Sequence, residues 1–147
     1  MVSERELFLD AEKKLPENFR RRAEHYFGEF RRAEKGAEAW KRGDLAAYGR
    51  LIFESGKSSI EKYECGCREL ISLYDIMTET DGIYGGRFSG AGFKGCCMAL
   101  VDPDKAEDVL AHVEEKYLAV YPALKGHYLG ALCDSADGVD LNGGAER

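Results

Sequence analysis

The sequence has no apolar run approaching the ~20 residues that a membrane-spanning helix needs. It has no surplus of positive charge either: 27 acidic residues against 21 basic ones leave a net charge of −6. Nucleic-acid modules usually present a basic face, so this balance argues against that class, and against docking on anionic membranes. Met1 to Asp10 is charged and holds no apolar signal region, so the expectation is a cytoplasmic protein. Cysteine spacing shows no regular framework: Cys65, Cys67, Cys96, Cys97 and Cys133 are odd in number, which implies free thiols in a reducing compartment. Histidine is scarce, with three in all, and Cys65-x-Cys67 lacks the two-residue spacing of a zinc knuckle. No metal site is expected.

What is present fits one globular domain. The 147 residues are 44% hydrophobic and 33% charged, and a chain of this length buries a core without staples. Phe19, Ala23, Tyr26, Phe30, Ala33, Ala37 and Trp40 recur at spacings of three and four, which predicts one face of a long helix. Gly43 ends it and Asp44 caps the next, whose inner face is expected from Leu45, Tyr48, Leu51, Ile52 and Ser55. A third helix is expected from about Cys67 to Thr80, with Leu70, Leu73, Tyr74 and Met77 inward and Gly82 as its stop. Ile83–Phe88 reads as a short strand, Cys96–Val101 as a buried strand, and Asp102-Pro103 as a helix start. Ala106, Val109, Leu110, Val113 and Tyr117 mark that helix, and His127–Cys133 is expected as a last strand. The order gives an α+β domain. Residues 1–18 read as an N-terminal extension, 19–135 as the domain and 136–147 as a polar tail that frays.

Chemistry concentrates in one segment, Arg87 to Cys97. Gly90, Gly92 and Gly95 satisfy G-x-G-x-x-G, but a dinucleotide fingerprint needs a helix to open at the loop. Here the loop runs into an apolar strand, and no Gly-Lys-Ser/Thr follows to make a Walker loop. What remains is a glycine-rich connection between strands, with the Ser89 hydroxyl beside it: either a phosphate-facing loop or a tight hairpin without a ligand. Cys96 and Cys97 sit in the apolar run and read as buried, inert thiols. His25 and Glu29, one turn apart, read as a helix-surface pair.

The segment Arg87-Phe88-Ser89-Gly90-Ala91-Gly92-Phe93-Lys94-Gly95-Cys96 resembles the third motif of the GHMP kinases in its galactokinase form, with Lys94 standing where a glycine is usual. Arg22, His25 and Glu29 resemble the Arg-x-x-His-x-x-x-Glu segment of the same group, and Gly43-Asp44-Leu45 through Ser55 its next helix. Tyr63-Glu64-Cys65-Gly66-Cys67-Arg68-Glu69-Leu70 replaces the proline-containing helix start of galactokinases. That form, with Ser58-Ser59-Ile60, looks closer to galacturonokinases.

The resemblance covers roughly residues 19 to 135 and implies the family's ferredoxin-like C-terminal domain, with helices packed on a small antiparallel sheet. It implies the C-terminal half of an ATP-dependent sugar 1-kinase, with Ser89, Gly90, Ala91, Gly92, Phe93, Lys94 and Gly95 forming the loop near the phosphates and Arg87 supporting it. The family's nucleotide loop, sugar-recognition segment and catalytic aspartate have no counterpart in the sequence, so no catalytic residue is expected in this chain. ATP and magnesium belong to the complete enzyme, and the chain alone is expected to be inactive. Its expected partners are a sugar substrate and either the N-terminal kinase half or a second copy. The dense aromatic residues predict an apolar patch where that half docks. The alternative is a non-catalytic module that kept the fold and binds a sugar, a nucleotide or a protein.

Overall fold

The computed structural model describes residues 4–134. The elements run α1 (Glu4–Ala11), α2 (Glu17–Lys41), α3 (Leu45–Glu61), α4 (Arg68–Glu79), β1 (Ile83–Phe88), β2 (Cys97–Val101) and α5 (Ala106–Val120). Short 3-10 turns at Pro103–Lys105 and Pro122–Leu124 precede and follow α5. The two strands are antiparallel, pairing Phe88 with Cys97, Arg87 with Met98, Gly86 with Ala99 and Gly85 with Leu100. Near Tyr84 the register shifts, and Ile83 then pairs with Val101. None of the described helices is long and apolar enough to cross a membrane.

Local chemistry explains the boundaries. The Asp44 carboxylate accepts from the Ala47 N–H at 2.9 Å, satisfying one of the free donors at the start of α3. Asp102 does the same for Asp104 at 3.1 Å, with Pro103 in the first turn. The core sits where α4 crosses the sheet: Leu70, Tyr74 and Met77 pack with Phe88, which is 2% exposed. Val109, Val113 and Tyr117 of α5 are buried as well, and the hydroxyls of Ser72 and Tyr121 join α4 to the end of α5 at 2.9 Å.

Three expectations change. The inner face of α3 is built from small residues: Gly49, Ser55, Gly56, Ser58 and Ser59 are buried, while Leu45 is exposed. A Cβ on Gly49 would lie 2.1 Å from the Tyr84 carbonyl oxygen, so α3 lies directly on the backbone of β1 where no side chain fits. Strand β2 is not buried: Met98 is 58% exposed, because among the described residues β2 pairs only with β1 and one of its faces stays open. No strand forms at His127–Cys133. That stretch carries no β-branched residue; Tyr128 packs at a tilt on Tyr117 instead, and Gly130 lies against Leu110 of α5. The tail expected at 136–147 falls outside the described residues.

The long helix α2 also departs from its expected packing. Its buried positions are Gly28, Gly36 and Ala39, and a Cβ on Gly36 would sit 3.3 Å from the Tyr48 ring of α3. The aromatic residues of its regular stripe face outward, with Phe30 56% and Trp40 59% exposed.

Candidate functional site: the glycine loop and its supports

The loop from Ser89 to Gly95 joins the paired ends of β1 and β2. It is closed at its base by the Ser89 N–H donating to the Cys96 carbonyl at 2.9 Å. Gly90, Gly92 and Gly95 have φ of +90°, +75° and +107°, the left-handed region that glycine enters without steric cost. Ser89, Lys94 and Phe93 are exposed on the loop. Among the described residues, none of the six backbone N–H groups from Gly90 to Gly95 donates to a backbone carbonyl. A run of unpaired backbone donors next to a hydroxyl and an ammonium is suited to an anion with several oxygens.

The loop rests on the core. A Cβ on Gly92 would fall 2.4 Å from the Phe88 ring, so Gly92 is the lid of the buried aromatic, whereas Gly90 has open space around it. The Gly92 carbonyl accepts from the Cys67 N–H at 2.6 Å, pinning the loop to the start of α4. This support comes from the Tyr63–Cys67 turn, in which Glu64 holds φ +61°. Arg21 and Arg22 of α2 grip the Glu64 carboxylate at 2.5 and 2.6 Å.

Arg87 does not reach the loop. Strand alternation sends its side chain to the opposite side from Phe88, between α2 and α3. There it donates to the Ser55 hydroxyl and, at 3.4 Å, to Glu29. Glu29 also accepts from Ser55 at 2.7 Å and from Arg32 Nε at 2.7 Å. Burial pushes the Glu29 carboxyl up, but the hydrogen bonds from Ser55 and Arg32 outweigh it and hold the group below its ordinary value. His25, expected on the surface, instead bonds Ser58 across the helix pair at 2.9 Å and packs on Tyr63. Burial, with the nearby cations of Arg32, Arg87 and Lys62, holds its imidazole below the usual range against the pull of Glu29. Sequence reasoning grouped Arg22, His25 and Glu29 by motif but missed Glu64, Ser58 and Ser55 as their respective counterparts. No periodic signal marks partners that lie on other elements.

The thiols divide. Cys96 is exposed, correcting the expectation of a buried pair, while burial and the neighbouring Cys96 and Cys67 push Cys97 up to about 12.

A family model described as GHMP kinases C terminal matches residues 36–119. The chain belongs to the GHMP kinase family. It is similar to galacturonokinase of Arabidopsis thaliana, 48% identical over 121 residues, which are 80% of this chain and 28% of that protein. Human galactokinase is 41% identical over 97 residues, 66% of this chain and 25% of that protein. The galactokinase of Lactococcus lactis, solved in complex with galactose, superposes with a TM-score of 0.73 at 30% identity, covering 82% of this chain and 31% of that one. The fold is therefore that of the GHMP kinase C-terminal domain, and the chain spans less than a third of the length of each of these relatives.

Proposed function

We propose that this chain supplies the C-terminal part of an ATP-dependent sugar 1-kinase acting on galacturonate or galactose, with its glycine loop set against the phosphates. The observation that carries the reading is the row of six loop N–H groups without backbone partners, flanked by the Ser89 hydroxyl and the Lys94 ammonium. The relatives support it through their activity, and the Arabidopsis protein favours the sugar acid. ATP supplies the phosphoryl group, and magnesium neutralises charge on it. The loop fits the anionic part: its N–H groups have no backbone partners among the described residues, and the space beside Gly90 is open. The metal does not fit this chain's own side chains, since no three His, Cys, Asp or Glu residues converge among those described. Magnesium ligands, the catalytic base and most sugar contacts then fall to the rest of the kinase, and the chain alone is inactive. The setting is cytoplasmic.

Ser89→Ala and Lys94→Ala test the loop. The chain is co-expressed with the remainder of Arabidopsis galacturonokinase, and turnover is followed by an ATP-coupled assay. A hydrogen bond to a charged group contributes about 1.5–3 kcal/mol, so each variant loses roughly 10- to 100-fold in kcat/KM. The melting temperature stays constant, because both side chains are exposed. Unchanged turnover in both variants reduces the loop to a hairpin.

A further inference from the structure

We infer that Glu64, clamped between Arg21 and Arg22, is a positioning residue for the glycine loop: through the Tyr63–Cys67 turn it holds the Cys67 N–H on the Gly92 carbonyl, and so keeps the Phe93 N–H turned away from α4 as a donor for phosphate oxygens. The inference rests on the proposed kinase reading in taking the loop's ligand to be a phosphate. It adds a residue outside the loop that sets the direction of the loop's donors.

The contacts start at a strained residue. Among the described residues Glu64, at φ +61°, is the one non-glycine residue with positive φ. A side chain kept in that region needs surroundings that over-determine it, and such residues cluster at functional sites. The Glu64 carboxylate takes Arg21 at 2.5 Å on one oxygen and Arg22 at 2.6 Å on the other. Arg22 also lies 5.9 Å over the Tyr63 ring, and Tyr63 packs on His25 at 5.1 Å. Helix α2 therefore holds the turn at two successive residues. The far end of the turn is confined as well: a Cβ on Gly66 would meet the Phe88 ring at 2.8 Å, and the Cys67 N–H donates to the Gly92 carbonyl at 2.6 Å.

That last bond fixes the sense of one peptide. In a trans peptide the C=O and the N–H point in opposite directions, and no described peptide is cis. With the Gly92 carbonyl turned to the start of α4, the Phe93 N–H points away from it. Gly92 has no Cβ and accepts the flipped peptide too. The flip turns the carbonyl outward and sets an acceptor among the loop's donors, where it repels a phosphate oxygen. Among the described residues, the Cys67 bond is the only backbone hydrogen bond made by residues 90–95. It is therefore the contact that selects between the two orientations, and Glu64 holds the turn that supplies it.

The test uses the full chain, with inorganic tripolyphosphate as the probe. Amide hydrogen exchange at Cys67 reads the bond to Gly92, and the Phe93 amide chemical shift reads anion binding. Glu64→Gln opens the clamp from one side and Arg21→Gln from the other. The two variants change the charge in opposite directions. Glu64→Gln strips the carboxylate from two guanidinium groups and by charge alone tightens anion binding, whereas Arg21→Gln by charge alone loosens it. The expected result is faster Cys67 exchange in both variants and tripolyphosphate binding weakened roughly three- to tenfold in both, the scale of a lost surface clamp. Ser89→Ala weakens binding with Cys67 exchange unchanged. Tighter or unchanged binding in Glu64→Gln overturns the inference, as does unchanged Cys67 exchange in both clamp variants, or a wild-type chain whose Phe93 amide the probe leaves unmoved. Turnover by the chain combined with the galacturonokinase remainder separates the two readings. Turnover that Ser89→Ala lowers and Glu64→Gln does not removes the positioning role and leaves the kinase reading standing. Clamp-dependent tripolyphosphate binding without turnover in the combination upholds the positioning role and removes the kinase reading.

Discussion

At the residue scale the loop glycines are not equivalent. Gly92 has φ +75° and abuts the buried Phe88 ring, whereas Gly90 has φ +90° and open surroundings. Gly92→Val combines strain with overpacking and destabilises the fold by about 1–3 kcal/mol or more. Gly90→Ala meets the conformational penalty alone, about 1–2 kcal/mol. Chemical denaturation of the two variants checks the order, and equal losses contradict the lid role of Gly92. His25 gives a pH signature. Its folded pKa lies below 6.5, so the unfolded chain binds the proton more readily. Stability therefore rises with pH through the window below 6.5 and is lost as pH falls through it. Glu24 and Glu29, both held below 4.5, lose their contribution at still lower pH. His25→Gln removes the upper step, so its unfolding free energy is flatter than the wild type's as pH falls below 6.5. Parallel profiles contradict this assignment.

At the element scale the decisive contact is helix on strand backbone. Gly49 leaves no room for a methyl group against the Tyr84 carbonyl, so Gly49→Ala separates α3 from β1 and costs at least the 1–3 kcal/mol usual for overpacking. Asp44→Ala removes a single cap bond and costs about 1 kcal/mol. Thermal unfolding of the pair, with Gly49→Ala melting lower, checks the ranking. Much of this architecture was legible: α4, β1 and β2 fall within a residue or so of their expected bounds, and α5 follows the expected Asp102-Pro103 start after a 3-10 turn. Two features were not. The inner face of α3 is made of glycine and serine, which carry no hydrophobic period. The stripe of α2 has a strong period yet faces outward, since periodicity records that a face is apolar and not which chain covers it. In the site, the glycine-rich connection between β1 and β2 was legible from glycine spacing, whereas Arg87, expected to support it, turns to Ser55 and Glu29 instead. The polar contacts from Arg87 to Ser55 and from His25 to Ser58 span more than 30 residues, and no local pattern announces them.

At the scale of the whole molecule the chain is a GHMP kinase C-terminal domain with an anion-suited loop at one place and an open apolar stripe at another. Phosphoryl transfer requires positioning and charge neutralisation around the nucleotide, and the described residues bring together a loop with free backbone donors but no group of three or more metal-ligating side chains. The central claim is that activity arises only when this chain is joined to the rest of a sugar kinase. The most direct measurement compares ATP-coupled turnover of galacturonate and galactose by the purified chain, by the galacturonokinase remainder, and by the two combined. The account predicts background rates for each part alone and sugar-dependent turnover for the combination, reduced by Ser89→Ala. Turnover by the chain alone that survives repurification, or none in the combination despite a formed complex, contradicts it.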